Sequence, residues 1–273
     1  MKLIRFRHAN EIRIGIVKHD AVVPVGGHDL LAVIRDNSAS KLTDSGPPIP
    51  LTEITPLLPY EVPPKIWCIG LNYRSHADDI QAVQPEEPGS FMKPASCMFA
   101  PEGEIVLPPH EVSDDVDAEG ELGVIIGRRC RFVAAEHVKD VIFGYTTTLD
   151  LTALDVLRKN PRYLTRAKSI DTFFSFGPVV VTVDEIKDVD SLEVITEHNE
   201  SICSRDFVRN MRTLPFELVR YHSDYMTLEP GDLISTGCPK GARIRAGDRV
   251  RARIDGIGTL SATVRQGVRR EVM

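Results

Sequence analysis

The sequence predicts an α+β fold that is mostly β: a mixed, largely antiparallel sheet structure, rolled or sandwiched, behind a small β-rich N-terminal unit. Three observations carry this. Apolar runs of strand length recur along the chain without regular alternation with helices. A two-faced hairpin pattern stands near the C-terminal end. Only two longer segments have helical spacing.

In order along the chain, residues 1 to about 60 alternate short apolar runs ("KLIRF", "IRIGIV", "AVVPV") with turns, which predicts a small β domain and its linker over 1–60. "SGPPIPLTEITPLLPYEVPPK" is dense in proline, which cannot donate to a ladder, and places the boundary to a second domain over 61–273. Strands then follow at "KIWCIG", "ELGVIIG", "VIFGYTTTLD", "GPVVVTV", "LEVITEH" and "DLISTG". In "RVRARIDGIGTLSATV", Val250, Ala252 and Ile254 alternate with Arg251, Arg253 and Asp255 before a Gly-Ile-Gly turn, which predicts an antiparallel hairpin with one wet face. That "GIG" lacks a third glycine and a following helix, so it has no nucleotide role. The two helices are "LDLTALDVLRKN", opened by Asp150, and "LPFELVRYHSDYM", with Pro215 in its first turn.

With 273 residues the chain can bury a large core, and 42% apolar with 26% charged residues is ordinary for a soluble globular protein. A net charge of -6 argues against a nucleic-acid or anionic-membrane partner, and the short basic "GRRCR" reads as a solvated loop. "MKLIRFRHANEIRIGIV" has no continuous apolar core before its charges, unlike a secretory signal, and no apolar run approaches the ~20 residues of a membrane span. The five cysteines stand alone, without a C-x-x-C pair, and read as reduced thiols of a cytoplasmic protein.

Glu119 and Glu121, in "DAEGELGVIIG", share one face of a predicted strand with Cα atoms roughly 6.5–7 Å apart. Two such carboxylates raise each other's pKa unless a cation lies between them. A solvated strand end is the plain alternative. Asp150 adds a third lone carboxylate after a run of threonines, and three oxygen ligands without a His or Cys cluster suit a hard cation, Mg²⁺ or else Mn²⁺ or Ca²⁺. Three carboxylates and one divalent ion leave one negative charge, for which Lys168 is a candidate partner; a solvated loop lysine is the local alternative. His76 and Asp79 stand at i, i+3 in a predicted helical turn. A histidine held by a carboxylate can act as general base on water, although an exposed pair of no consequence stays open.

Six segments in order, "GLNYRSHADD", "FMKPASCMFAPEGEIVLP", "AEGELGVIIG", "GYTTTLDLTALD", "AKSIDTFFSFGP" and "LEPGDLISTGCPKG", resemble the fumarylacetoacetate hydrolase family. The resemblance implies a β-sandwich roll in the second domain, a homodimer, and a divalent ion held by Glu119, Glu121 and Asp150. It implies catalytic roles for His76, Asp79 and Lys168, and substrate contacts from Asn72, Tyr73, Arg74, Thr236 and Gly237. The expected activity is Mg²⁺-dependent hydrolysis of a C–C bond in a β-diketo or acylpyruvate-type 2-oxo acid, as in aromatic catabolism. Isomerisation or tautomerisation, hydration, or decarboxylation of an oxaloacetate-like acid through the same metal enolate is the alternative, and an inactive small-acid-binding member the third. The chain departs from the family pattern at Asp79 (usually glutamate), Leu154 (often arginine), Glu200 (usually glycine), Ser204 (often glutamine) and Cys238 (threonine). Cys238 reads as a small substitution and not a nucleophile, because no histidine stands beside it in the sequence.

Overall fold

Alternating apolar side chains at the N-terminus build a meander of β1 (Lys2–His8), β2 (Glu11–Lys18) and β3 (Ala21–Val25). Leu3, Ile14 and Val25 bury against α1 (Leu30–Arg35), which Asp29 caps by accepting from the Leu31 amide. Two short strands, β4 (Ile49–Pro50) and β5 (Thr55–Pro56), run through the proline-rich segment. The computed structural model describes residues 1–27 and 29–268; the last residues of the expected second domain, 269–273, lie outside them.

The rest of the chain supplies β6 (Ile66–Gly70), α2 (Arg74–Asp79), β7 (Gly89–Lys93), β8 (Glu104–Leu107) and β9 (Val116–Ile126). There follow α3 (Val138–Val141), β10 (Ile142–Ala153), α4 (Leu154–Lys159), α5 (Leu164–Lys168) and β11 (Phe174–Thr182). The chain continues with β12 (Glu193–His198), β13 (Ser201–Phe207), α6 (Pro215–Tyr225), β14 (Leu233–Ser235), β15 (Ala242–Ile244), β16 (Arg249–Ile254) and β17 (Gly258–Gln266).

A twelve-stranded sheet runs β4-β3-β2-β1-β11-β10-β9-β14-β6-β7, with β5 beside β1 and β15 beside β9. Its N-terminal strands therefore continue the sheet of the larger unit, through the pairing of β1 with β11. A five-stranded sheet, β13-β12-β16-β17-β8, lies across β9, β10 and β11. Ala252, Leu260 and Ala262 of the hairpin pack there against Ala118, Leu149 and Leu151. The mixed, mostly β architecture with a small N-terminal β unit is the predicted one.

Every residue of β9 and β10 is buried, because one face carries the second sheet and the other the candidate site. Gly120 makes the first contact possible. A Cβ on it would stand 2.7 Å from Thr196 Oγ1 and 3.0 Å from the Ala252 Cβ, so only glycine fits between Glu119 and Glu121 on the sheet-packing side. The glutamates consequently project from the opposite face.

One expectation is corrected and one strand is added. The helix predicted to open at Asp150 begins at Leu154; Asp150 stays in β10, where its backbone faces Glu119 and the ladder with β9 continues to Ala153. "SICSRDF", not foreseen as a strand, forms β13, the edge of the smaller sheet. The hairpin of β16 and β17, and α6 with Pro215 at its start, stand as predicted. No helix among the described residues is long and apolar enough to cross a membrane.

Candidate metal centre and substrate cavity

The register of β9 and β10 sets Asp150 opposite Glu119, two residues from Glu121 on the same face. Carboxylate oxygens of Glu119, Glu121 and Asp150 all come within 4.8 Å of one another. All three side chains are buried, at 4%, 1% and 1% exposure, so the solvated strand end falls away. Lys168, at the end of α5, donates to Glu119 Oε2 at 2.8 Å and to Asp150 Oδ2 at 2.7 Å. It is a buried partner of the carboxylates and no loop lysine.

A second lysine joins the cluster. Lys93, on β7, donates to Asp150 Oδ1 and to the carbonyls of Leu151 and Phe173. Its segment "FMKP" carries the family resemblance, yet sequence reasoning gave the lysine no role. The signal was its period-2 spacing from Phe91, which puts both side chains on one face of β7. Thr152 donates to Glu119 Oε1 at 2.6 Å, and the Gly237 amide to Glu121 Oε2 at 2.9 Å. Ser235 also donates to Glu121 Oε2, so both donors on that carboxylate fall on one oxygen. Gly237 adopts φ +96°, and a Cβ there would stand 2.8 Å from the Asn72 side chain, so glycine is required to turn its amide onto Glu121.

The electrostatics follow from this wiring. Burial, then Asp150 and Glu119, push the Glu121 carboxyl up to about 8. Burial works against the charge of Asp150 too, but Lys168 and Lys93 outweigh it and hold the carboxyl below its ordinary value. Burial likewise opposes charge on Lys168, and Asp150 and Glu119 overcome it, so the ammonium persists. Once Glu121 gives up its proton, three carboxylates against two lysines carry one net negative charge in a dry pocket. Oxygen-only donors of this charge fit a hard divalent ion, and Glu119, Glu121 and Asp150 are the residues that would hold it.

Beside the carboxylates opens a cavity of about 660 Å³, lined by Glu119, Glu121 and Lys168 at one end and by α2, β7, α4 and α5 elsewhere. His76, 8% exposed on α2, lies on its wall, with a ring nitrogen within 4.8 Å of a Glu119 oxygen and of the Cys238 sulfur. A histidine does therefore stand near Cys238 in space. Burial, then Glu119 and Glu121, nevertheless push that thiol well above its ordinary pKa, which keeps it protonated and a poor nucleophile.

Other predicted site residues are placed differently. Asp79 gives its carboxylate to Lys240 at 2.6 Å, and His76 Nδ1 is buried without a hydrogen-bond partner, so no His76–Asp79 pair forms. Asn72 does not line the cavity. It donates to the carbonyls of Thr213 and Thr236 and accepts from the Thr213 amide, clamping two loops. Tyr73 is fully buried among apolar side chains, and Arg74 is an exposed partner of Asp78. The Thr236 hydroxyl is engaged by the Leu122 carbonyl at 2.9 Å. Leu154 lines the cavity, whereas Ser204 donates to the Lys240 carbonyl outside it.

Comparison with known proteins accounts for this arrangement. Residues 65–265 match the family described as fumarylacetoacetate (FAA) hydrolase, C-terminal. The chain belongs to the fumarylacetoacetate hydrolase family. Residues 1–59 match a second family, Rv2993c-like, N-terminal. The mitochondrial oxaloacetate tautomerase FAHD2A of Bos taurus is 32% identical, over 86% of this chain and 76% of that protein. Among solved structures, the fumarylacetoacetate hydrolase of psychrophilic Exiguobacterium antarcticum superposes with a TM-score of 0.87 at 28% identity, over 98% of this chain and 100% of that one. The maleylpyruvate hydrolase of Sphingobium sp. SYK-6, in complex with manganese(II) ion and pyruvate, gives 0.80 at 30% identity over the same shares. Fumarylacetoacetate hydrolase family enzymes thus include hydrolases and tautomerases on one scaffold.

Proposed function

We propose that this family member is a Mg²⁺-dependent hydrolase that cleaves a C–C bond in an acylpyruvate-type 2-oxo acid. The observation that carries the reading is the cavity of about 660 Å³ opening onto Glu119, Glu121 and Lys168, with Asp150 within 4.8 Å of the two glutamates and His76 on the cavity wall. That volume exceeds what a three- or four-carbon acid fills, so there is room for an acyl group beyond the 2-oxo-carboxylate end.

Bound at Glu119, Glu121 and Asp150, the ion would supply a Lewis acid for the 2-oxo-carboxylate end and for the charge that develops on it as pyruvate leaves. Lys168 fixes Glu119 and Asp150 and adds positive charge beside that end. Thr152, Ser235 and the Gly237 amide hold the carboxylates in place. His76 takes a proton from the water that attacks the distal carbonyl, and Cys238 stays a neutral thiol on the wall.

A second reading has its own support. Because Asp79 is bonded to Lys240, His76 has no carboxylate to orient it as a base on water. Proton transfer without bond cleavage, a tautomerisation, needs no oriented base on water. Incubation of Mg²⁺-loaded enzyme with a panel of acylpyruvates, followed by proton NMR, separates the two. Release of pyruvate supports hydrolysis, an intact carbon skeleton with exchanged protons supports tautomerisation, and neither outcome with metal demonstrably bound sinks both. Unchanged turnover in His76→Ala removes His76 from either scheme.

A further inference from the structure

Resting on the proposed 2-oxo acid reading, we infer that the substrate's tail is uncharged and apolar, so that the preferred substrate is a monocarboxylic acid and not a diacid, with Leu154 as a residue that sets this preference. The cavity wall carries Ile69, Leu71, Ile80, Phe91, Leu154 and Leu164, with Gln81 and Ser90 among its neutral polar residues. These side chains come from β6 and the loop behind it, the end of α2, β7, and the two short helices after β10.

The lysine and the arginine on the wall are already committed. Lys168 is bonded to Glu119 and Asp150, at the end where the 2-oxo-carboxylate would lie. Arg158 lines the cavity too, but it bonds to Asp115 and its side chain is 61% exposed, which places it on the solvent side of the wall. His76 lies beside Glu119. A carboxylate on the tail of a substrate would therefore lose its water against leucine, isoleucine and phenylalanine, without an uncommitted lysine or arginine to replace it.

The charge balance points the same way. Glu119, Glu121 and Asp150 against Lys93 and Lys168 leave one negative charge, and a divalent ion turns this into one positive charge. A single substrate carboxylate neutralises that charge. A second would leave the buried complex anionic.

Tail preference can be read by binding, independently of any reaction, with oxamates that carry the 2-oxo-carboxylate head but do not turn over. The Mg²⁺-loaded protein is titrated calorimetrically with N-methyl-, N-ethyl- and N-propyloxamate and with N-oxalylglycine, whose tail ends in a carboxylate. The expected result is a gain of about fourfold in affinity per added methylene. N-oxalylglycine is expected to bind at least roughly tenfold more weakly than N-propyloxamate. Leu154→Arg, which sets a cation on the same wall, is expected to reverse that order.

Equal or tighter binding of N-oxalylglycine by the wild-type protein, no gain along the alkyl series, or no binding of any oxamate overturns the inference. The wild-type titrations decide it even where Leu154→Arg does not fold. If the alkyl gain holds while no acylpyruvate is turned over, the inference stands and the hydrolytic reading fails. If a diacid is cleaved in preference to a neutral-tailed acid, the hydrolytic reading stands and the inference fails.

Discussion

One lysine nitrogen bridges the two facing members of the β9–β10 ladder: Lys168 Nζ donates to Asp150 Oδ2 at 2.7 Å and to Glu119 Oε2 at 2.8 Å. Without metal, this bridge, Lys93 and the proton held by Glu121 offset the repulsion among the three buried acids. Lys168→Met leaves the acids uncompensated, and breaking a buried pair in this way costs about 3–5 kcal/mol. The variant is therefore expected to melt well below the wild type in chelator, to recover more stability than the wild type when Mg²⁺ is added, and to lose turnover. Thermal unfolding with and without Mg²⁺ checks this. A metal-free loss below about 1 kcal/mol would show that the bridge is not structural.

Magnesium binding should depend on pH through Glu121. Burial, then Asp150 and Glu119, raise its metal-free carboxyl to about 8, so at neutral pH a proton must leave before the carboxylate can act as a ligand. Affinity is expected to rise about tenfold per pH unit up to about 8 and then level off, with about one proton released per ion below that point. Calorimetry in buffers of different ionisation heat counts the proton. Equal proton release at pH 6.5 and pH 9 contradicts the assignment.

The sequence made the centre legible because its logic is local. Period-2 spacing puts Glu119 and Glu121 on one face, and a strand ending in threonines and Asp150 brings the third acid. The missing pieces depend on pairings that spacing cannot show. Lys93 meets Asp150 from a strand at the edge of the sheet, 57 residues earlier in the chain. Asp79 looked like a partner for His76 at i, i+3, but Lys240 lies closer to hand in the folded chain. The block Asn72, Tyr73 and Arg74 divides where loop gives way to α2, and its side chains go to a loop clamp, the core and the solvent.

The Glu200 departure has an energetic consequence away from the site. Asn199 and Glu200 join β12 to β13 in a two-residue turn with φ +47° and +67°. This is the backbone of a type I′ hairpin, which favours Asn followed by Gly. Asn199 tolerates its position and bonds to Asp248 at 2.8 Å and to the Arg249 amide at 2.9 Å. Glu200 is an exposed residue with a side chain in a left-handed conformation, and Glu200→Gly is expected to stabilise the protein by about 1 kcal/mol. Denaturant unfolding measures the gain, and turnover should not change. An unaltered or lower midpoint would mean that the glutamate relieves its strain elsewhere.

His222 gives the fold an acid-sensitive point. Its ring is fully buried on α6, 4.8 Å from the Trp67 ring, with Nδ1 donating to the Leu218 carbonyl at 2.7 Å and Nε2 without a partner. Burial lowers its pKa, and the bond to Leu218 only partly opposes this. In the unfolded chain the same group titrates at about 6.5. Below that pH the unfolded state takes up a proton that the folded state refuses, so stability is present above about 6.5 and is lost as pH falls through it. His222→Leu removes the titration. The stability difference between wild type and variant should therefore move in the variant's favour from pH 7.5 to pH 5.5, while contributions from Glu121 and the other acids cancel in the subtraction. Parallel denaturant unfolding of both proteins at the two pH values measures it; a difference that stays constant means His222 is protonated alike in the folded and unfolded chain.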